Sequence, residues 1–356
     1  MMRKIHLYPL ALVCLSFIHA CQKDKAVPTP APKVTTGLFI LNQGLYGANN
    51  TTLTYYDFVS QKPTTDYFRN VNGFGLGDTG SDLIIYGGKL YTVINNSGYV
   101  AVADAITAKF LDTIDFKNAG VNRGPENIVA SGGKVFVSST DGTVAVIDTV
   151  TLSIQKFITV GTNPAQMAIS GTNLYVSNTG GISASYDSTV SVIDLNSLKE
   201  TRKIRVGINP GSIAADDANN IYVACTGNYG SIGPSLVKVN LNTNQVIKSV
   251  DSAVGTIRYY SNTLISTGGY LGTANLAILN PTDLSAIRSS FITDGTPIQN
   301  PYGLDIDPSN GNVYVGDAKD YVSSGQVFCF DKAGNKKFSF SVSPGISPIR
   351  TVWIAQ

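Results

Sequence analysis

From residue 37 onward, apolar and polar positions alternate in short runs, and no stretch carries a helical period. Runs of the type LYVS recur at Leu38-Phe39-Ile40, Leu90-Tyr91-Thr92, Val135-Phe136-Val137, Leu174-Tyr175-Val176, Ile221-Tyr222-Val223, Leu264-Ile265-Ser266 and Val313-Tyr314-Val315. A second run follows each and stops at an Asx residue: Asp57, Asp104, Asp148, Asp194, Asn240, Asn280 and Asp331. An Asp or Asn side chain bonds backbone two residues on and so favours a tight turn, which makes these seven stops the marks of seven repeats.

Each repeat continues with a polar strand such as ETRKIRVG (200–207) and then, often after Asn-Pro, a short apolar strand such as SIAAD (212–216). Four short strands per repeat is the pattern of one propeller blade, so the fold class expected is all-β, a seven-bladed β-propeller over residues 37–356. The chain enters with the second strand of a blade at Gly37 and ends in a first strand, PIRTVWIA (348–355). One blade shared between the N- and C-terminal strands would then close the ring and leave no unpaired sheet edge. Trp353, the only tryptophan, is expected to pack between blades, in a core distributed among neighbours.

Loops from second to third strands, and those from outer strands to the next innermost strand, should emerge on one face, where binding residues concentrate. The repeats differ most there. Between VFVSS and TVAVID stands only Thr140-Asp141-Gly142, whereas between LYVS and TVSVID stands NTGGISASYDS (178–188). Five of the seven such loops are expanded, and each of the five carries a tyrosine: Tyr46, Tyr186, Tyr229, Tyr270 and Tyr321. Tyrosine supplies contact area at low entropic cost, and the surrounding Asn, Ser and Gly supply adaptable hydrogen bonds. Phe74 and Arg123 of the second loop set, with Asn49, Asn95 and Tyr302, join the candidate ligand-binding residues. Aligned innermost strands place Asp82, Asn127, Gln166, Ser212, Arg258, Gly303 and Arg350 at one axial position. The arginines Arg258 and Arg350 there suit an anionic group such as phosphate, and a water-filled polar channel is the alternative.

The N-terminus has a different character. Arg3 and Lys4 precede an apolar run from Leu7 to Ile18, and Ile18-His19-Ala20-Cys21 resembles a bacterial lipobox, so residues 1–20 are expected to be a lipoprotein signal peptide and Cys21 the lipidated residue. Residues 21–36 are polar and Pro-rich and are expected to form an extended tether. Removing residues 1–20 removes both histidines, His6 and His19, and with them histidine-based triads, dyads and zinc or haem ligation. The same cut leaves 24 Lys+Arg against 24 Asp+Glu, so there is no basic footprint for nucleic acid. Cys225 and Cys329 remain, expected as buried small hydrophobes.

Catalytic residues are scarce: only Glu126 and Glu200 are glutamates, and seven repeat positions already use Asx for turns, so no enzyme activity, no catalytic residue, no catalytic cofactor and no metal are expected. Asp317 and Asp320 stand outside the repeat turns, as a carboxylate pair or as calcium ligands, two carboxylates being weak grounds for either.

The segments LFILNQGLYGANNTTLTYYDF (38–58) and GLGDTGSDLIIYGGKLYTVINNSG (75–98), followed by repeats of the type TVSVID…VGINPGSIA, resemble the YncE-like and DUF5074-type propeller lipoproteins of Bacteroidota, and among them the BtuG group. The resemblance covers residues 37–356 and is most specific in its N-terminal part. It implies a protein lipid-anchored in the outer membrane and exposed at the cell surface, which captures cobalamin (vitamin B12) and hands it to a TonB-dependent transporter of the BtuB type. Cobalamin has a broad corrin with an apolar face, a rim of amides and one phosphodiester, which aromatic loops and Asn-rich turns suit. With no histidine in the mature chain, bound cobalamin would keep its own axial ligands. A platform for glycans or proteins would use the same face.

Overall fold

A computed structural model describes residues 35–181, 186–268 and 275–355. Seven four-stranded antiparallel sheets follow one another along the chain. From the innermost strand outward, blade 1 is Gly80–Tyr86, Lys89–Ile94, Tyr99–Asp104 and Phe110–Asp115. Blades 2 to 6 begin with innermost strands Pro125–Ser131, Pro164–Ser170, Pro210–Ala215, Val254–Tyr260 and Pro301–Ile306. Blade 7 is built from both ends of the chain, with Pro348–Ala355 innermost and Thr35–Asn42, Thr52–Asp57 and Lys62–Thr64 outside it. Each innermost strand touches the next around the full circle, so the ring is closed in the way the strand order at the termini predicts.

Strand periodicity explains the core. Successive side chains of a strand point to opposite faces, so every blade feeds two interfaces. In blade 1, Leu90 and Ile94 pack with Phe39, Leu41 and Leu53 of blade 7. The intervening Tyr91 and Val93 pack with Ile128, Val135 and Val137 of blade 2. At the seam, Leu38 and Ile40 of blade 7 join Tyr314, Val327 and Cys329 of blade 6. Trp353 meets Tyr314 there at 5.6 Å between ring centroids, packing between blades as expected.

All seven Asx stops cap their turns. Oδ1 of Asp57, Asp104, Asp148, Asn240, Asn280 and Asp331 accepts the N–H two residues on, and that of Asp194 accepts from Ser197. Cys225 and Cys329 are free and buried, and burial pushes their thiols up to about 12 and about 11. One element departs from the all-strand pattern: a six-residue helix, Tyr67–Asn72, follows blade 7 and inserts Phe68 into the cluster between blades 7 and 1.

Candidate functional site

The channel begins with a defect repeated around the ring. Between the innermost and second strands, pairing slips after the first innermost residue in blades 1 to 6, as between Pro125 and Ile128 or between Pro164 and Met167. Such bulges leave residues unpaired and re-aim their side chains. The freed residues include Ser81, Glu126, Asn127, Gln166, Thr256 and Tyr302, all of which line an axial cavity of about 390 Å³.

Strand register separates two of the axial residues that the sequence alignment put together. Leu83, Ile128, Met167, Ile213, Ile257 and Leu304 occupy matching positions against the second strand, so the layer just before them is Asp82, Asn127, Gln166, Ser212, Thr256 and Gly303, joined in blade 7 by Arg350. Arg258 does not belong to that layer. It lies two residues further along its strand, level with Asp305, because a shift of two residues keeps the same face while changing the depth.

Both arginines line the cavity and are paired with carboxylates of neighbouring blades. Arg350 donates through Nη1 to Asp305 Oδ1 at 2.7 Å and sets Nε 3.1 Å from Asp82 Oδ1, and Arg258 reaches Asp305 Oδ1 at 3.3 Å. Asp82 Oδ2 also accepts the Ile128 N–H, and Asp305 Oδ2 the Thr351 N–H. These bonds tie blades 5, 6, 7, 1 and 2 in succession. Neutral groups make the remaining ties: Ser138 Oγ donates to Ala165 O, Ser177 Oγ to Gly211 O, and Ser212 Oγ accepts from Ile257 N–H. The polar belt is thus a set of clasps between blades, charged over one arc and neutral over the other.

Glu126 stands apart from that belt. No guanidinium is bonded to it among the described residues, and its Oε2 accepts from Asn95 Nδ2 at 2.7 Å. Burial, reinforced by the charge of Asp82, pushes its carboxyl up to about 7. Its rarity, as one of two glutamates in the chain, was the sequence signal; its place inside a bulge is visible only in the pairing register.

The rim gathers some candidates and disperses others. Tyr186 and Tyr229, from the expanded loops of blades 3 and 4, meet edge to face at 5.9 Å. Tyr302 and Tyr321 meet in the same manner at 5.6 Å in blade 6, and the Tyr302 hydroxyl donates to Gln43 Oε1 at the cavity wall. Tyr46 projects from its loop with 80% of its surface exposed, and Asn49 beside it occupies a left-handed turn position, φ 52°. Asn95 is spent on Glu126 and on Pro125 O. Arg123 lies 4.1 Å over the Phe157 ring and pairs with Asp141 at 2.6 Å, and Phe74 packs edge-on against Phe68 and Phe110. Arg123 and Phe74 thus make contacts within the fold, and Phe74 keeps 46% of its surface exposed. Tyr270 and Cys21 lie outside the described residues.

The long loop of blade 3 is held at both ends. Asn178, closing the second strand, donates to Thr189 Oγ1 and Ser191 Oγ and accepts from Gly161 N–H. Asp187 accepts from Thr162, Ser188 and Thr189 N–H groups. Tyr186, next to the anchored Asp187, meets Tyr229 of blade 4, whereas in the short turn of blade 2 Asp141 pairs with Arg123.

Asp317 and Asp320 are turn caps. Asp317 accepts from the N–H groups of Gln299, Asn300 and Lys319, and Asp320 from those of Val322 and Ser323, which hold its carboxyl down at about 2. Among the described residues no group of three or more His, Cys, Asp or Glu side chains converges on a possible metal position.

With this geometry in place, the chain can be compared with known proteins. Residues 36–120 match the DUF5074 model, a domain of unknown function. That span holds the three outer strands of blade 7 and all of blade 1, the region whose segments are most specific in sequence. No curated protein matches the chain. Solved structures share its architecture: a quinonprotein alcohol dehydrogenase-like protein from Bacteroides thetaiotaomicron has a TM-score of 0.66 at 15% identity, covering 91% of this chain and 79% of that one. A candidate 6-phosphogluconolactonase from Bacteroides fragilis gives 0.62 at 14% identity, covering 90% and 98%. Kuenenia stuttgartiensis hydrazine synthase gives 0.59 at 20% identity, covering 71% and 76%. Identities this low establish the propeller fold alone, and those activities belong to those proteins.

Proposed function

We propose that this protein is a surface-exposed lipoprotein, anchored in the outer membrane through Cys21, that captures cobalamin on its loop face and passes it to a TonB-dependent transporter of the BtuB type. The observation that carries the reading is the set of aromatic groups around the axis: the Tyr186–Tyr229 pair, the Tyr302–Tyr321 pair and the projecting Tyr46. Ring faces backed by the amides Asn127 and Gln166 of the cavity wall fit a broad, partly apolar ring system with an amide rim. The match of residues 36–120 to DUF5074 supports it from the sequence side, since this is where the resemblance to the cobalamin-binding group is most specific. The phosphodiester is not assigned to Arg258 or Arg350, which are already neutralised by Asp305 and Asp82.

Calorimetric titration of the propeller, residues 34–356, with cyanocobalamin tests this reading. One-to-one binding that weakens in Tyr186→Ala and Tyr321→Ala supports it. Absence of heat at micromolar concentrations rejects it and moves the same face to a glycan or protein partner.

A further inference from the structure

The face opposite the loops is formed by the tight turns, and it is not uniform. In blades 7, 1 and 2 the residue two past the Asx cap is aliphatic and points into solvent: Val59 is 88% exposed, Ile106 46% and Val150 86%. Blades 3 to 6 carry Asn196, Asn242, Thr282 and Ala333 at the same position. A single exposed valine needs no explanation, but three at one repeat position on three adjoining blades form an apolar arc. Lys62, Lys89, Lys109 and Lys134 flank the turns of the apolar arc, beside the capping carboxylates Asp57, Asp104 and Asp148.

The chain itself says what meets this arc. The second strand of blade 7 starts on the turn face, where Thr36 O accepts the Phe58 N–H one residue before Val59. Fourteen peptide steps separate Thr35 from Cys21, a reach of at most about 50 Å. A lipid on Cys21 would therefore confine the turn face near the bilayer at high effective concentration, so that a patch too weak to bind alone still engages.

We propose that the arc of Val59, Ile106 and Val150 docks on the lipid surface, with the lysines beside it reaching anionic headgroups and the polar turn positions of blades 3 to 6, Asn242 among them, left in water. This inference rests on the lipid-anchor part of the proposed function and not on the identity of the ligand.

The test uses the full acylated chain reconstituted in vesicles of phosphatidylethanolamine and phosphatidylglycerol, with a nitroxide attached at Val59→Cys, Val150→Cys or Asn242→Cys. Cys225 and Cys329 are buried and do not compete for the label. The expected result is a shift toward oxygen-dominated relaxation at Val59 and Val150, with Asn242 remaining water-like. Water-like signals at all three positions overturn docking. Shielding of Val59 and Val150 from both oxygen and a nickel chelate also overturns it, in favour of a protein contact. Mass spectrometry of the N-terminal peptide tests the anchor separately: acylation at Cys21 with no depth signal defeats docking alone, and an unacylated Cys21 defeats its premise.

Discussion

Two arcs of the channel wall perform the same task with different chemistry. Across blades 5, 6, 7 and 1, buried carboxylates and guanidinium groups clasp neighbour to neighbour: Arg258 to Asp305, Asp305 to Arg350, Arg350 to Asp82. Across blades 2, 3 and 4 the clasps are Ser138 and Ser177 to backbone carbonyls. The charged arc contains blade 7, where the two ends of the chain meet. The break in the chain lies inside blade 7, where Pro348–Ala355 pairs with Thr35–Asn42, and Arg350 on that C-terminal strand reaches both Asp305 of blade 6 and Asp82 of blade 1. Charged clasps there are strongly interdependent, since removing one partner leaves another charge buried and unpaired.

The contrast can be broken first at its strongest point. Arg350→Ala leaves Asp82 and Asp305 without their shared partner, and a loss of about 3–5 kcal/mol in chemical denaturation is expected. A loss under 1 kcal/mol would show the seam to be held by packing alone. Ser177→Ala, in the neutral arc, should cost only about 1 kcal/mol in the same assay.

Between these lies Glu126, whose effect depends on pH. Its carboxyl is raised from 4.5 to about 7 in the folded protein. The folded state therefore keeps a proton that the unfolded state has released, so this contribution is fully present below about pH 4.5 and is lost as pH rises through about 7. Glu126→Gln should abolish that decline and stabilise the protein at pH 8 by ~1–3 kcal/mol relative to wild type, read as the difference in Tm between pH 5 and pH 8. An unchanged pH profile would place the Glu126 carboxylate in a better-solvated site than its burial implies. The smallest effect on stability is expected at the rim: Tyr46→Ala should move the unfolding free energy by under about 0.5 kcal/mol, because its side chain is largely in solvent.

Much of the ring was legible in sequence, because its signals are local and periodic. Asx caps act within two or three residues, and alternation assigns each side chain to one of two blade interfaces. The closing blade followed from which strand came first and which last. Depth along the channel was not legible. Arg258 and Arg350 share an axial face, and a two-residue offset leaves a period of two unchanged, so pattern alone put them level. Of their partners, Asp82 stood in the same aligned position as Arg350, whereas Asp305, two residues past Gly303 and level with Arg258, was passed over because depth was not legible. On the rim, the sequence singled out Tyr186, Tyr229 and Tyr321 by loop and residue type, and the ring contacts they make became visible only in the fold. Arg123 and Phe74, from the second loop set, contact Phe157 and Asp141, and Phe68 and Phe110, partners that the loop sequence does not name.

Hydrogen–deuterium exchange of the propeller with and without cyanocobalamin tests the central claim most directly. The account predicts slowed exchange in the loops at 42–52, 178–188, 225–235 and 317–324, with the turns on the opposite face unchanged. Protection confined to those turns, or none anywhere at saturating cyanocobalamin, would contradict it.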